Sequence, residues 1–110
     1  PIYRETLVIG DVVAILAPKG TALPFYLGKV LKCDQKKVGL QWYGHNKTAD
    51  GTYVLQYKAQ KGKGIGPPIT ATVRRETVID TVRSMRGKTK GKIERGELKR
   101  ILALARRSKA

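Results

Sequence analysis

The chain has 110 residues, and its 23 Lys and Arg against 8 Asp and Glu give a formal net charge of +15 at pH 7. This length is that of one ordinary domain, or of one small domain with a tail, and a hydrophobic content of 41% excludes a chain that is a disordered basic tail throughout. No apolar run approaches the roughly 20 residues of a membrane span, and the first residues lack the basic start and apolar stretch of a signal peptide. We therefore expect a nuclear or cytoplasmic protein that is not secreted and has no membrane partner. Because the chain begins at Pro, we expect it to be a domain of a larger protein.

Alternating apolar and polar residues predict five short strands in the first two thirds of the chain. In the third strand, for example, Val38, Leu40 and Trp42 fall on one face. Loops rich in Pro, Gly and Lys separate the strands. In chain order, the predicted strands are Asp11–Leu16, Phe25–Lys32, Val38–Tyr43, Thr52–Tyr57 and Ile69–Val73.

The last third of the sequence has a different pattern. Residues Thr77–Met85 carry apolar side chains at helical spacing and predict a short helix or turn, and Gly87–Lys92 is predicted to be a basic linker. From Glu94 onward, apolar residues at positions i, i+3, i+4 and i+7 predict an amphipathic helix. They are Leu98, Ile101, Leu102 and Ala105.

These elements predict a mainly β fold, a five-stranded antiparallel small barrel with a C-terminal helical extension. We expect residues 1–75 to form the barrel domain and residues 76–110 to form the basic extension. The helix could pack on its own barrel or dock on a partner protein, and the sequence leaves both alternatives open.

The positive charge is concentrated at the C-terminal end. Residues 1–57 and 58–82 each carry a net charge of +3, whereas residues 83–110 have eleven Lys and Arg against two Glu, a net charge of +9. Such a surface attracts polyanions, and flexible lysines suit phosphates because they need no base geometry. The predicted nucleic-acid-binding residues are Lys58, Lys61, Lys63, Arg86, Lys88, Lys90, Lys92, Arg95, Lys99, Arg106 and Arg107.

Catalytic chemistry has little to draw on in this sequence. Cys33 has no partner for a disulfide or a CxxC zinc motif, and His45 has no suitable neighbour. The glycine run at 62–66 is followed by Pro67-Pro68 instead of a helix, which argues against a nucleotide loop. We therefore predict no catalytic residues, no metal, no cofactor and no enzymatic activity.

Three segments of the first half carry a family resemblance: Gly10-Asp11-Val12-Val13-Ala14, Phe25-Tyr26-Leu27-Gly28-Lys29-Val30 and Val38-Gly39-Leu40-Gln41-Trp42-Tyr43. Their order and spacing resemble the small barrel of the Src-homology-three type, in the branch with Tudor, chromo-barrel and bromo-adjacent-homology modules. The C-terminal domains of retroviral-type integrases, which bind DNA with little sequence preference, are built on a similar barrel. The resemblance covers about half of the chain and does not select one function.

In Tudor-like barrels, aromatic residues at the strand ends form a cage that binds methylated lysine by cation–π attraction. The resemblance transfers this role to Tyr26, Trp42 and Tyr43, with Tyr53 as a further wall. The alternatives are that these rings fill the core or stack on nucleic acid. Alternation along the strand predicts that Trp42 and Tyr43 face opposite ways, and Asp50 is the only carboxylate close in sequence.

The sequence thus supports three hypotheses. The first is a non-enzymatic module of a nuclear or mobile-element protein that binds the nucleic-acid backbone with low sequence specificity, with DNA favoured over RNA. The second is a chromatin reader that binds a histone or other methylated peptide. The third is a protein-docking module.

Overall fold

Seven antiparallel strands, two short 3-10 turns and one helix make up the computed structural model, which describes residues 7–18, 20, 24–45, 51–59, 62, 64 and 66–109. The predicted mainly β fold with a C-terminal helix is confirmed. The predicted number of five strands is wrong, because two further strands form after residue 77. The elements are β1 (Val12–Leu16), β2 (Phe25–Cys33), β3 (Lys37–His45), β4 (Thr52–Leu55), β5 (Thr70–Arg74), a 3-10 turn (Arg75–Thr77), β6 (Val78–Thr81), a second 3-10 turn (Arg83–Met85), β7 (Lys90–Lys92) and α1 (Arg95–Lys109).

The strands form one curled sheet in the order β6-β1-β2-β3-β4-β7, and β5 pairs with β3 outside this path. The edge of β3 that faces away from β2 pairs with two strands. Lys37–Gln41 pair with β5, and Tyr43–His45 pair with β4. The register shifts where β1 meets β6 and again where β2 meets β3. Such irregularities increase the local twist and help a sheet to curl.

One buried cluster, here called the barrel core, lies on one face of the sheet. Side chains from β1, β2, β3 and β6 contribute to it, and Val73 of β5 packs against it. Val38 and Leu40 are buried in this cluster and Trp42 packs against it, as the alternation predicts. The barrel core consists of Leu7, Val13, Ile15, Val30, Val38, Leu40 and Val78.

A second cluster, here called the helix-side core, lies on the opposite face of β1. It joins sheet residues to buried side chains of the C-terminal segment, so α1 packs on its own sheet, against β1 and β6. Leu98 and Leu102 lie against this cluster, and Ile101 and Ala105 are fully buried. The helix-side core consists of Val12, Ala14, Phe25, Leu27, Tyr43, Leu55, Val82, Met85, Ile93 and Ile101.

The second half of the segment expected to be a basic linker, Lys90–Lys92, forms β7, which pairs with β4. Gly87 has a φ of +76°, which permits the turn that leads from the second 3-10 turn into the strand. At Gly91, an added Cβ would lie 3.3 Å from the sulfur of Met85, so the missing side chain lets β7 pass close over the helix-side core. The glycines of this segment therefore shape a strand.

Candidate nucleic-acid interface

Every carboxylate of the described residues has a hydrogen-bond or ion-pair partner within the same chain. Asp34, for example, accepts the backbone N–H groups of Lys36 and Lys37, each at 2.7 Å, and these bonds hold its pKa below the usual value. No described carboxylate is therefore left without an intramolecular partner to offset the surface cations. The other five bonded carboxylates are Asp11, Glu76, Asp80, Glu94 and Glu97.

Most lysines and arginines of the described residues, in contrast, form no ion pair with a described carboxylate. Ion pairs between described residues join Arg74 to Glu76, Arg86 to Asp11 and Arg100 to Asp80. Among the predicted binding residues that the structure describes, Arg86 alone takes part in one of these pairs, at 3.7 Å, and its largely exposed side chain weakens the pair. Lys61 and Lys63 lie outside the described residues. The other predicted nucleic-acid-binding residues that the structure describes are exposed and take part in none of these pairs. They are Lys58, Lys88, Lys90, Lys92, Arg95, Lys99, Arg106 and Arg107.

The lysines of β7 are placed by the strand itself. Because side chains alternate along a strand, Lys90 and Lys92 share one face while Gly91 between them faces Met85. The position of the segment is fixed at its start by the Tyr43 hydroxyl, which donates a hydrogen bond to the carbonyl oxygen of Lys88. These two lysines are therefore held about 7 Å apart on an ordered backbone.

Helix α1 presents its cations in two rows. Arg95, Lys99 and Arg106 are spaced four and seven residues apart, so they follow one side of the helix over roughly 16 Å. Arg100 and Arg107, also seven residues apart, follow another side, and Arg100 is held at 2.6 Å by Asp80. The row of Arg95, Lys99 and Arg106 is thus the one whose members join no ion pair among the described residues.

The start of α1 is tied to the second 3-10 turn by reciprocal hydrogen bonds. Glu97 accepts the N–H groups of Arg83 and Ser84 at 2.8 and 2.9 Å, and the Ser84 hydroxyl accepts the N–H of Glu94 at 2.9 Å. The Glu94 carboxylate caps the helix by accepting the N–H groups of Gly96 and Glu97. This interlock fixes the direction in which the helix leaves the sheet.

The same interlock sets the protonation of Glu97. Partial burial acts to raise the pKa of Glu97, but the hydrogen bonds from the Ser84 side chain and from the N–H groups of Ser84 and Arg83 outweigh it. The pKa therefore lies below its usual value of 4.5. Glu97 is ionised at neutral pH and holds the interlock as a carboxylate.

The aromatic residues proposed for a cage lie on both sides of the sheet. Tyr26 and Trp42 meet edge to face, with ring centroids 5.8 Å apart and an angle of 72° between the rings. Both are half-buried beside the barrel core, whereas Tyr43 and Tyr53 belong with the helix-side core. The structure thus brings two of the four together and places the other two on the opposite face.

Tyr43 is buried, and its environment stabilises the neutral phenol. Burial, and to a smaller extent the nearby Tyr57 hydroxyl, raise the pKa of Tyr43 to about 12. The ring of Tyr43 lies inside the helix-side core, and its hydroxyl is hydrogen-bonded to the carbonyl oxygen of Lys88. Tyr43 therefore anchors the backbone that leads into β7. In this arrangement the ring offers no face to a base.

Sequence reasoning missed Tyr57 as a functional candidate. It is the exposed aromatic residue of the described part of the chain, with 42% of its surface accessible. Its position at the end of an alternating run, directly before Lys58, was the available signal. An aromatic residue at the end of a strand can lie outside the packed sheet, where its ring is exposed to solvent.

Comparison of the chain with protein families, curated proteins and solved structures returns no match. In the described residues, no helix is long and apolar enough to cross a membrane. The same residues contain no group of three or more His, Cys, Asp or Glu that could hold a metal ion.

Proposed function

We propose that this chain is a non-enzymatic module that binds the backbone of nucleic acid with low sequence specificity, with DNA favoured over RNA, inside a larger nuclear or mobile-element protein. The supporting observation is the asymmetry of the charges. The described carboxylates are used in internal hydrogen bonds, while the cations of β7 and of one row of α1 are exposed without acidic partners. A surface of this kind attracts phosphates by simple Coulomb attraction.

The curled antiparallel sheet, in which β6 returns to pair with β1, supports the proposed relation to small barrels of the Src-homology-three type. A rigid sheet with an ordered basic face suits backbone contact, because phosphates recur along the polymer whatever the sequence. Sequence-specific reading has less support, since the exposed row of α1 consists of Arg and Lys alone.

Binding to a short DNA duplex over a range of salt concentrations tests the proposal. The logarithm of the binding constant should fall linearly with the logarithm of salt, with a slope of about −0.9 for each phosphate neutralised. Replacing Lys88, Lys90 and Lys92 together by Gln should weaken binding and reduce the steepness by up to about 2.7. A binding constant that stays flat as salt rises, for the duplex and for a single strand alike, would rule out the function.

A matched control removes the same charge elsewhere. Lys32, Lys36 and Lys37 are exposed in and between β2 and β3, away from β7 in the sheet order. Their combined replacement by Gln should leave most of the affinity and most of the slope. Equal losses in the two triple variants would mean that the whole surface, not the C-terminal segment, attracts the polyanion.

A second candidate function, binding of a methylated lysine of a histone or other peptide, is favoured by the Tyr26–Trp42 pair. Two rings at 72° can form two adjoining walls around an ammonium group. Titration with methylated and unmethylated peptides by NMR tests it. Selective shifts at Tyr26 and Trp42 would support the cage, and their absence would remove it.

A further inference from the structure

The exposed residue Tyr57 follows β4 in the chain, and β4 pairs with β7, the strand that carries Lys90 and Lys92. The register of β4 and β7 pairs Thr52 with Lys92 and Val54 with Lys90, and the N–H of Leu55 donates to the carbonyl oxygen of Thr89 at 2.9 Å. The two strands are antiparallel, so Tyr57, two residues after Leu55, and Lys88, directly before Thr89, both lie just beyond the same end of this pairing.

Tyr43 is hydrogen-bonded at the same end of β7. Its hydroxyl donates to the carbonyl oxygen of Lys88, and the Tyr57 hydroxyl is close enough to contribute to the raised pKa of Tyr43. Both Lys88 and Tyr57 therefore lie near one buried phenol. Lys58, which is exposed, follows Tyr57 directly in the chain.

The backbone that carries Tyr57 is held from the side. Tyr57 forms an antiparallel bridge with Pro68, and the N–H of Lys58 donates to the carbonyl oxygen of Pro67 at 2.8 Å. The ring thus projects from a fixed backbone position, so little conformational entropy is lost when a ligand covers it.

An accessible aromatic face flanked by lysines has the composition of a single-strand binding surface. Unpaired bases stack on such rings whatever their sequence, and the lysines contact the adjoining phosphates. In a duplex the bases are stacked on one another and offer no free face to a side chain on the outside.

We propose that Tyr57 stacks on an unpaired base, with Lys58 and Lys88 at the flanking phosphates, so that the preferred ligand is a single-stranded segment of nucleic acid. This inference rests on the proposed function, since it names the form of nucleic acid that the basic segment holds.

The experiment compares Tyr57→Ala and Tyr57→Phe with the unchanged protein, using a 15-nucleotide oligothymidine, the matching oligouridine and a 15-base-pair DNA duplex at one salt concentration. Tyr57→Ala should weaken binding to the single strands about 5- to 150-fold, the range expected for one lost base–aromatic stack. Tyr57→Phe keeps the ring and should retain most of the affinity. Duplex binding should change less than twofold in either variant.

The salt slope separates stacking from charge. Neither substitution removes a charge, so the slope for single strands should stay the same while the affinity falls. Because Tyr57 is exposed, both variants should unfold at nearly the temperature of the unchanged protein, which verifies that they are folded. Comparing the two single strands shows whether DNA or RNA is the better ligand.

Two results would overturn the inference: equal losses for duplex and single strand, or unchanged single-strand binding in Tyr57→Ala. In both cases salt-dependent binding by the unchanged protein would leave the proposed function standing. If neither form of nucleic acid binds with a salt dependence, the proposed function itself fails, and this inference fails with it.

Discussion

The two faces of β1 are both buried, but different parts of the chain bury them. Val13 and Ile15 enter the barrel core, which is made of residues from the first 78 positions. Val12 and Ala14 enter the helix-side core, where Met85, Ile93 and Ile101 cover a face that an antiparallel sheet commonly leaves to solvent. The continuous apolar run of β1 reflects this double burial.

The basic C-terminal segment, residues 83–110, contributes to the packed core as well as to the surface charge. Residues 83–110, which supply the largest share of the positive charge, also supply Met85, Ile93 and Ile101 to the helix-side core. Its apolar residues anchor it to the sheet, and its cations face outward. Folding and the presentation of charge therefore depend on the same segment.

The largest effect should come from the buried side of α1. Ile101 is fully buried, so Ile101→Ala should lower the free energy of unfolding by about 2–5 kcal/mol, measured by urea denaturation. Leu104→Ala, on the same helix but half-buried and outside both cores, is the control and should cost well under half as much. Leu40→Ala probes the barrel core and should fall in the same range as Ile101→Ala.

The two cores share β1, so they should unfold together. Fluorescence of Trp42, beside the barrel core, and the helical signal in circular dichroism should give the same denaturation midpoint in the unchanged protein. A helical signal that disappears first, with Trp42 still buried, would show that α1 is an appendage.

A smaller effect should come from the interlock between α1 and the second 3-10 turn. Glu97→Gln keeps the shape but removes the charge that two backbone N–H groups share, and it should cost about 1–2 kcal/mol at pH 7. Because the pKa of Glu97 is lowered by folding, its contribution is present above pH 4.5 and is lost as the pH falls through the folded-state value. The difference between Glu97→Gln and the unchanged protein should therefore shrink below pH 4.5, and a difference that does not depend on pH would contradict this role.

The smallest effect should come from the hydroxyl of Tyr43. Tyr43→Phe removes one hydrogen bond to Lys88 and should cost about 1 kcal/mol. Folding raises the pKa of Tyr43 from 10 to about 12, so its contribution is complete below pH 10 and is lost as the pH rises toward 12. Stability measured from pH 8 to 11 should decline less steeply in Tyr43→Phe, and equal slopes would show that this phenol does not titrate with unfolding.

Local patterns predicted the elements whose burial follows from their own spacing. The alternation of Val38, Leu40 and Trp42 specified one face of β3, and the spacing of Leu98 and Ile101 specified the buried side of α1. Both signals lie within a single element, so the sequence alone carries them.

The elements that depend on a distant partner were missed. In the segment predicted as a short helix or turn, Arg83–Met85 does form a 3-10 turn. Val78–Thr81 forms β6 instead, because these residues pair with β1 some 65 residues earlier in the chain. Similarly, Lys90-Gly91-Lys92 has no apolar side chain and becomes a strand only because β4 lies beside it. No local pattern records such pairing, and the proximity of Tyr57 to Lys88 depends on it.

The position of β7 also affects how copies of this protein meet one another. In the described residues it is the last strand beyond β4, so one of its sides presents backbone N–H and C=O groups that no further strand covers. An uncovered strand of this kind can recruit a strand from another molecule and start aggregation. The lysines at positions 90 and 92 oppose this, because two copies that approach along β7 would bring like charges together.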